Sequence, residues 1–143
     1  MPMAYNNLIF TADDDEDDRL LLQQAFQQQS PGCQLVFFAD GDELLSALTN
    51  TPPHELPRLI ILDLNMPRMS GFEVLKRLKA HPRLRVIPVV IMTTSSRPED
   101  ISLSYQSGSS SFVTKPASYD RLLELVQITR QYWFETVTVY SEF

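Results

Sequence analysis

The sequence predicts a three-layer α/β protein: an open, doubly wound sheet of five parallel strands covered by five helices. Three observations carry that reading. Five strand-length runs rich in Val, Ile, Leu and Phe recur along the chain. The runs are almost continuously apolar, without in/out alternation, which marks strands buried on both faces. Each run is followed by a stretch with helical spacing, and the right-handed crossover rule then makes an open, doubly wound sheet the economical packing. The chain's 143 residues are too few for a closed (β/α) barrel.

The first strand is read at Leu8 to Ala12 and its helix at Asp17 to Gln29, stopped by Pro31-Gly32. The second strand, Leu35 to Ala39, leads into Asp40-x-x-Glu43, a capping-box pattern that opens a helix over Asp42 to Asn50 before Pro52-Pro53. Leu59 to Leu62 is the third strand; Ser70-x-x-Glu73 opens the helix Gly71 to Ala80, and His81-Pro82 ends it. Val86 to Met92 is the fourth, with Ser96-x-x-Glu99 opening a helix over Glu99 to Ser107. Ser111 to Thr114 is the fifth, followed by a last helix over Tyr119 to Trp133. Hydrophobicity does not fix the strand order; 2-1-3-4-5 is one order known for five-stranded open sheets.

Composition narrows the function classes. Hydrophobic residues make up 43% and charged residues 21%, enough for a packed core in one domain. Of 18 acids, six form the run Asp13 to Asp18, and the rest balance the 12 bases, so no basic field suggests nucleic acid or a membrane surface as partner. Cys33 is the only cysteine, which excludes an intrachain disulfide, and with only His54 and His81 there is no zinc-type cluster. No apolar stretch approaches the roughly 20 residues that span a bilayer, and Met1 to Phe10 lacks a signal-like pattern, so a cytoplasmic location is expected.

In open α/β sheets, ligands bind beyond the carboxyl ends of the strands. Asp13 and Asp14 follow the first strand, Asp63 the third, Thr93 the fourth and Lys115 the fifth. Carboxylates this dense repel one another, and relief comes from a hard divalent cation or from raised pKa values. Few protein oxygens and no cage favour Mg²⁺ over Ca²⁺. A phosphoryl group would complete the site, with Lys115 as a point charge, Thr93 as a hydroxyl and Asp63 as the attacking carboxylate. Asp63 lies between Leu62 and Leu64, where a carboxylate buried without a partner would be costly. Asp15, Glu16, Asp17 and Asp18 are explained by the dipole of the helix they open. An EF-hand reading of the run fails, because Asp18 stands at the loop's glycine position and Gln24 at its bidentate Glu position. Met66, Pro67, Gly71 and Pro116 read as turn, close-approach and loop residues, and His54, His81 and Cys33 as structural.

The strings Ala12-Asp13-Asp14-Asp15, Leu62-Asp63-Leu64-Asn65-Met66-Pro67 with Gly71, Met92-Thr93-Thr94-Ser95 and Phe112-Val113-Thr114-Lys115-Pro116 resemble the receiver domain of two-component response regulators, over Leu8 to about Trp133. The resemblance implies a flavodoxin-like fold with strand order 2-1-3-4-5. It implies that Asp63 accepts a phosphoryl group from a histidine kinase or phosphotransfer protein, in a self-catalysed reaction and not as a turnover enzyme. It implies Mg²⁺ held by Asp63, by Asp14 directly, by Asp13 through water and by the backbone carbonyl of Asn65. Lys115 would pair with the phosphoryl group, Thr93 would swing toward it, and Phe112 would occupy the aromatic switch position. In many relatives the peptide bond before the proline of the last motif is cis. Thr94 replaces a frequent alanine, Ser109-Ser110-Ser111 replaces a more apolar approach to the fifth strand, and Phe112 lacks the hydroxyl of a tyrosine.

The residues after Lys115 suffice for a final helix and a tail, so the expectation is a single receiver domain over 1–143, with its core at about 7–133, that signals through a downstream protein target or a phosphorelay. Thr136 to Tyr140 alternates like a half-exposed strand, and the tail 134–143 is read as a possible homodimer contact. Tyr132 to Val137 is similar to the end of single-domain regulators that accompany phytochrome-type sensor kinases. Two other classes fit these residues less well. A haloacid dehalogenase-type phosphohydrolase with Asp63 as nucleophile needs a second Asp where Asn65 stands; an FMN carrier would set Asp13 and Asp14 against a phosphate.

Overall fold

A computed structural model describes residues 7–140. Five strands, β1 (Leu8–Ala12), β2 (Gln34–Phe38), β3 (Leu59–Leu62), β4 (Val89–Thr93) and β5 (Ser111–Thr114), form one parallel sheet in the order β2-β1-β3-β4-β5. The helices are α1 (Glu16–Gln29), α2 (Gly41–Thr49), α3 (Gly71–Ala80), α4 (Pro98–Gln106) and α5 (Tyr119–Arg130). This is the flavodoxin-like, doubly wound architecture.

The continuous apolar runs follow from burial on both sides of the sheet. On one face Phe10, Ala12, Ile60, Leu62, Val89 and Ile91 meet Leu44 and Leu48 of α2 and Val74, Leu75 and Leu78 of α3. The alternate residues, Ile9, Leu59, Ile61, Val90 and Met92, meet Leu22, Ala25 and Phe26 of α1 and Val126 of α5. Because successive side chains point to opposite faces, a strand flanked by helices on both sides is apolar at nearly every position, with Thr11 and Thr93 the buried exceptions in β1 and β4.

Some boundaries differ from the sequence reading, for local reasons. β2 ends at Phe38 because Asp40 is the N-cap of α2 and its side chain accepts the Glu43 N–H. β4 starts at Val89: Leu84–Val86 is a 3-10 turn, and Pro88, which has no N–H, separates that turn from the ladder. α4 is not capped by Ser96; Arg97 is its N-cap without a side-chain bond, and Pro98 takes the first helical position, where a missing N–H costs nothing. The expected strand over Thr136 to Tyr140 does not form. α5 instead widens into a π-helix, Gln131–Thr136, and Val137 N–H donates to the Tyr132 carbonyl. That wider turn packs Trp133 and Phe134 against the α1/α5 side of the core. Arg58 fixes them by donating its Nε–H to the Trp133 carbonyl at 3.0 Å and placing its guanidinium 5.4 Å from the Phe134 ring centre. The last part of the proposed tail, 141–143, lies outside the described residues.

Candidate functional site

From β1 the chain crosses to β2 on one side and then to β3 on the other, so the strand order reverses between the parallel strands β1 and β3 and opens a crevice at their carboxyl ends, and the ladder continues one residue past each. Asp13 N–H donates to the Phe38 carbonyl and Asp63 N–H to the Ala12 carbonyl, both at 3.0 Å, so backbone bonds fix both carboxylates. Gly71, at the start of α3, pins Asp63 from the far side. Its N–H donates to the Leu64 carbonyl at 2.9 Å, and a Cβ there would lie 2.2 Å from the Asp63 carbonyl oxygen. The turn between them holds Arg68 in the left-handed region, φ 66°, with its guanidinium paired to Asp40 at 2.9 Å.

Lys115 leaves β5 with its N–H on the Thr93 carbonyl at 2.7 Å. No peptide bond among the described residues is cis, so the one preceding Pro116 is trans. The Lys115 ammonium meets three carboxylates: Asp13 at 2.8 Å, Asp18 at 2.7 Å and Asp63 at 2.9 Å. Burial opposes its charge, yet the hydrogen bonds to Asp13, Asp18 and Asp63 together push its pKa above the ordinary lysine value. For Asp13 burial wins in the other direction: its pKa is raised by desolvation and by the neighbouring Asp63 charge, although Lys115 and the Asp15 N–H partly offset this.

Asp13, Asp14 and Asp63 each present a carboxylate oxygen within 4.8 Å of the other two. The donors are all oxygen, one is buried and one is exposed, and they suit a hard divalent cation that retains water. Asp63 is 5% exposed and its second oxygen accepts the Asn65 N–H at 3.3 Å, so among the described residues its carboxylate is hydrogen-bonded by one ammonium and one amide.

Thr93 is the last residue of β4, not the first after it, and is fully buried. Its hydroxyl accepts from Asn65 Nδ2 and from the Ser95 N–H, each at 3.5 Å, the long limit of a hydrogen bond. The Ser95 hydroxyl organises the next loop by donating to Asp100 at 2.6 Å and accepting the Arg97 N–H. Phe112 is half-buried against the α2/α3 side of the core, and its N–H donates to the hydroxyl of Tyr105 on α4 at 3.2 Å.

The five sequence-derived residues Asp13, Asp14, Asp63, Thr93 and Lys115 thus converge at one pole, with Asn65 beside them. Two were missed. Asp18, read as helix-dipole surface, touches Lys115; the Asp15-x-x-Asp18 cap, in which Asp15 accepts the Asp18 N–H at 3.0 Å, was the available signal that the first turn of α1 turns inward. Tyr105 had no signal, since its contact depends on the rotation of α4. Of the residues left as structural, His81 accepts the Arg83 and Leu84 N–H groups and shapes the turn after α3.

Residues 9–127 match the response regulator receiver domain family. The chain is 33% identical over 135 residues to the response regulator Rcp1 of Synechocystis, 92% of each sequence. The phosphorylated cyanobacterial phytochrome response regulator RcpA superposes with a TM-score of 0.87 at 33% identity, covering 96% of this chain and 100% of that one. The Mn²⁺-bound form of Rcp1 superposes with a TM-score of 0.82 at 33% identity, covering 94% and 99%.

Proposed function

The chain belongs to the response regulator receiver domain family and is a two-component response regulator, and from that premise we propose that Asp63 is its phosphoacceptor and that phosphorylation there drives a conformational switch or a relay. The observation that carries this is the buried Asp63 carboxylate held 2.9 Å from the Lys115 ammonium, within the cluster it forms with Asp13 and Asp14.

An Asp63 oxygen attacks the phosphorus of a donor, phosphohistidine on a kinase or phosphotransfer protein. The P–N bond breaks, its electron pair goes to the imidazole, and Asp63 becomes a mixed anhydride that water later hydrolyses. Lys115 exchanges its contact with the attacking carboxylate for one with a phosphoryl oxygen, following the charge as it moves. Asp13, Asp14 and Asp63 with the Asn65 carbonyl would hold Mg²⁺, which supplies charge neutralisation for phosphoryl transfer. Thr93, whose hydroxyl makes only two contacts at 3.5 Å, turns that hydroxyl toward the new phosphoryl group, and Phe112 moves with it.

The protein is not a turnover phosphatase: the position two residues after Asp63 is Asn65, an amide that neither gives nor takes a catalytic proton. Its partners are a cytoplasmic histidine kinase or phosphotransfer protein, of the phytochrome type by analogy with RcpA, and a downstream protein target, without nucleic acid or membrane. In this reading the tail 134–143 is a candidate homodimer contact, although Trp133 and Phe134 pack against the chain's own core. The test is mass spectrometry after incubation with acetyl phosphate and Mg²⁺. One phosphoryl group is gained, and none by Asp63→Asn; equal labelling of that variant overturns the assignment.

A further inference from the structure

The Lys115 ammonium has three N–H donors and three carboxylates around it: it hydrogen-bonds Asp18 and Asp63 and forms an ion pair with Asp13. Two of these acceptors, Asp13 and Asp63, belong to the set of oxygens that can hold a cation; the third, Asp18, does not. The three also differ in depth. The side chains of Asp63 and Asp13 are 6% and 13% exposed, whereas that of Asp18 is 35% exposed and gives the shortest contact, 2.7 Å. Asp18 is itself held in place, because its N–H is bound by the Asp15 cap and the next residue, Arg19, donates to the Asp13 carbonyl at 2.7 Å.

An ammonium and a divalent cation compete for the same carboxylate oxygens. Without Asp18, the Lys115 donors would have only Asp13 and Asp63 to satisfy them inside a partly desolvated crevice. We infer that Asp18 is a positioning residue for Lys115: it gives the ammonium an acceptor on the solvent side of the cluster, which keeps Lys115 paired when a cation takes its place on Asp13 and Asp63. Its role is therefore to raise cation affinity through Lys115. This inference rests on the reading of the cluster as the cation site of a phosphoacceptor.

A double-mutant cycle tests it, with Mn²⁺ alone as the probe and free Mn²⁺ counted by electron paramagnetic resonance. Asp18→Asn weakens Mn²⁺ binding about fivefold in the natural background, the size of a typical coupling between neighbours. The same change has less than about a twofold effect where Lys115 is already Met or Gln, whichever background folds by circular dichroism. Asp17→Asn, which removes an exposed charge one residue away, gives the through-space baseline. Equal weakening by Asp18→Asn with and without Lys115 would overturn the inference, because Asp18 would then act by its own charge. So would an Asp18→Asn effect no larger than that of Asp17→Asn. Failure of Asp63 to label with acetyl phosphate in the unaltered protein would refute the phosphoacceptor reading while leaving the Mn²⁺ cycle interpretable.

Discussion

The two halves of the crevice are built to different tolerances. Around β1 and β3, Lys115 holds Asp13, Asp18 and Asp63 at 2.7–2.9 Å, and backbone bonds fix the carboxylates that it touches. Around β4 and β5, the Thr93 hydroxyl is held only by contacts at 3.5 Å, although its backbone is fixed in the ladder, and the Phe112 amide by a tyrosine hydroxyl at 3.2 Å. A phosphoryl-transfer site gains from groups placed before the reaction, because no reorganisation is then needed as charge develops. A switch gains from the opposite, since a movable element needs states separated by little free energy. The tight half fits the chemistry and the loose half its readout.

Substitutions can break that contrast, starting with the largest effect. Gly71→Ala forces a Cβ to within 2.2 Å of the Asp63 carbonyl and is expected to cost about 3 kcal/mol, read from the urea midpoint, whereas Gly32→Ala, which meets nothing within 4 Å, stays within about 0.5 kcal/mol. Lys115→Met should slow labelling by acetyl phosphate about a hundredfold, the scale for losing one preorganised charge. Its effect on stability has a defined pH window. A folded-state pKa raised above the ordinary 10.5 means that the ammonium's contribution is complete below that pH and disappears as pH rises through the folded value. The stability gap between the natural protein and Lys115→Met should therefore hold steady from neutral pH to about 10.5 and close above it.

The loose half should respond more weakly. Thr93→Ala removes a buried hydroxyl with only long contacts and is expected to cost about 1 kcal/mol or less while leaving Asp63 labelling in place. Its signature is the loss of phosphorylation-dependent chemical-shift changes at Phe112. Tyr105→Phe leaves the Phe112 N–H on the edge strand to water and should change stability by about 0.5 kcal/mol; a change as large as that of Gly71→Ala would show that the second half is no looser than the first.

Legibility in the sequence follows the same division. Strands apolar on both faces announce themselves, and residues such as Asp63 and Lys115, placed directly after a strand, inherit their location from the topology. Asp18 was hidden because an acid in the first turn of a helix already has a sufficient local explanation, while its contact is made across 97 residues of sequence. Tyr105 was hidden because helix rotation, not spacing, sets its reach. The start of β4 was blurred because Val86 and Ile87 are apolar but belong to the turn before Pro88. The tail's alternation at Thr136 to Tyr140 predicted a strand, but the helix runs on to Thr136 as a π-helical turn, with Trp133 and Phe134 packed beside Arg58, and Val137 to Tyr140 pair with no strand.

The most direct measurement is a crystal structure with Mg²⁺ and beryllofluoride, which mimics a phosphoryl group on a carboxylate. The expected result is beryllium bonded to an Asp63 oxygen, with the Lys115 ammonium moved from that carboxylate onto a fluorine and the Thr93 hydroxyl turned toward the group. An Asp63 side chain still paired with Lys115 and carrying no beryllofluoride, with the analogue bound elsewhere, would contradict the account.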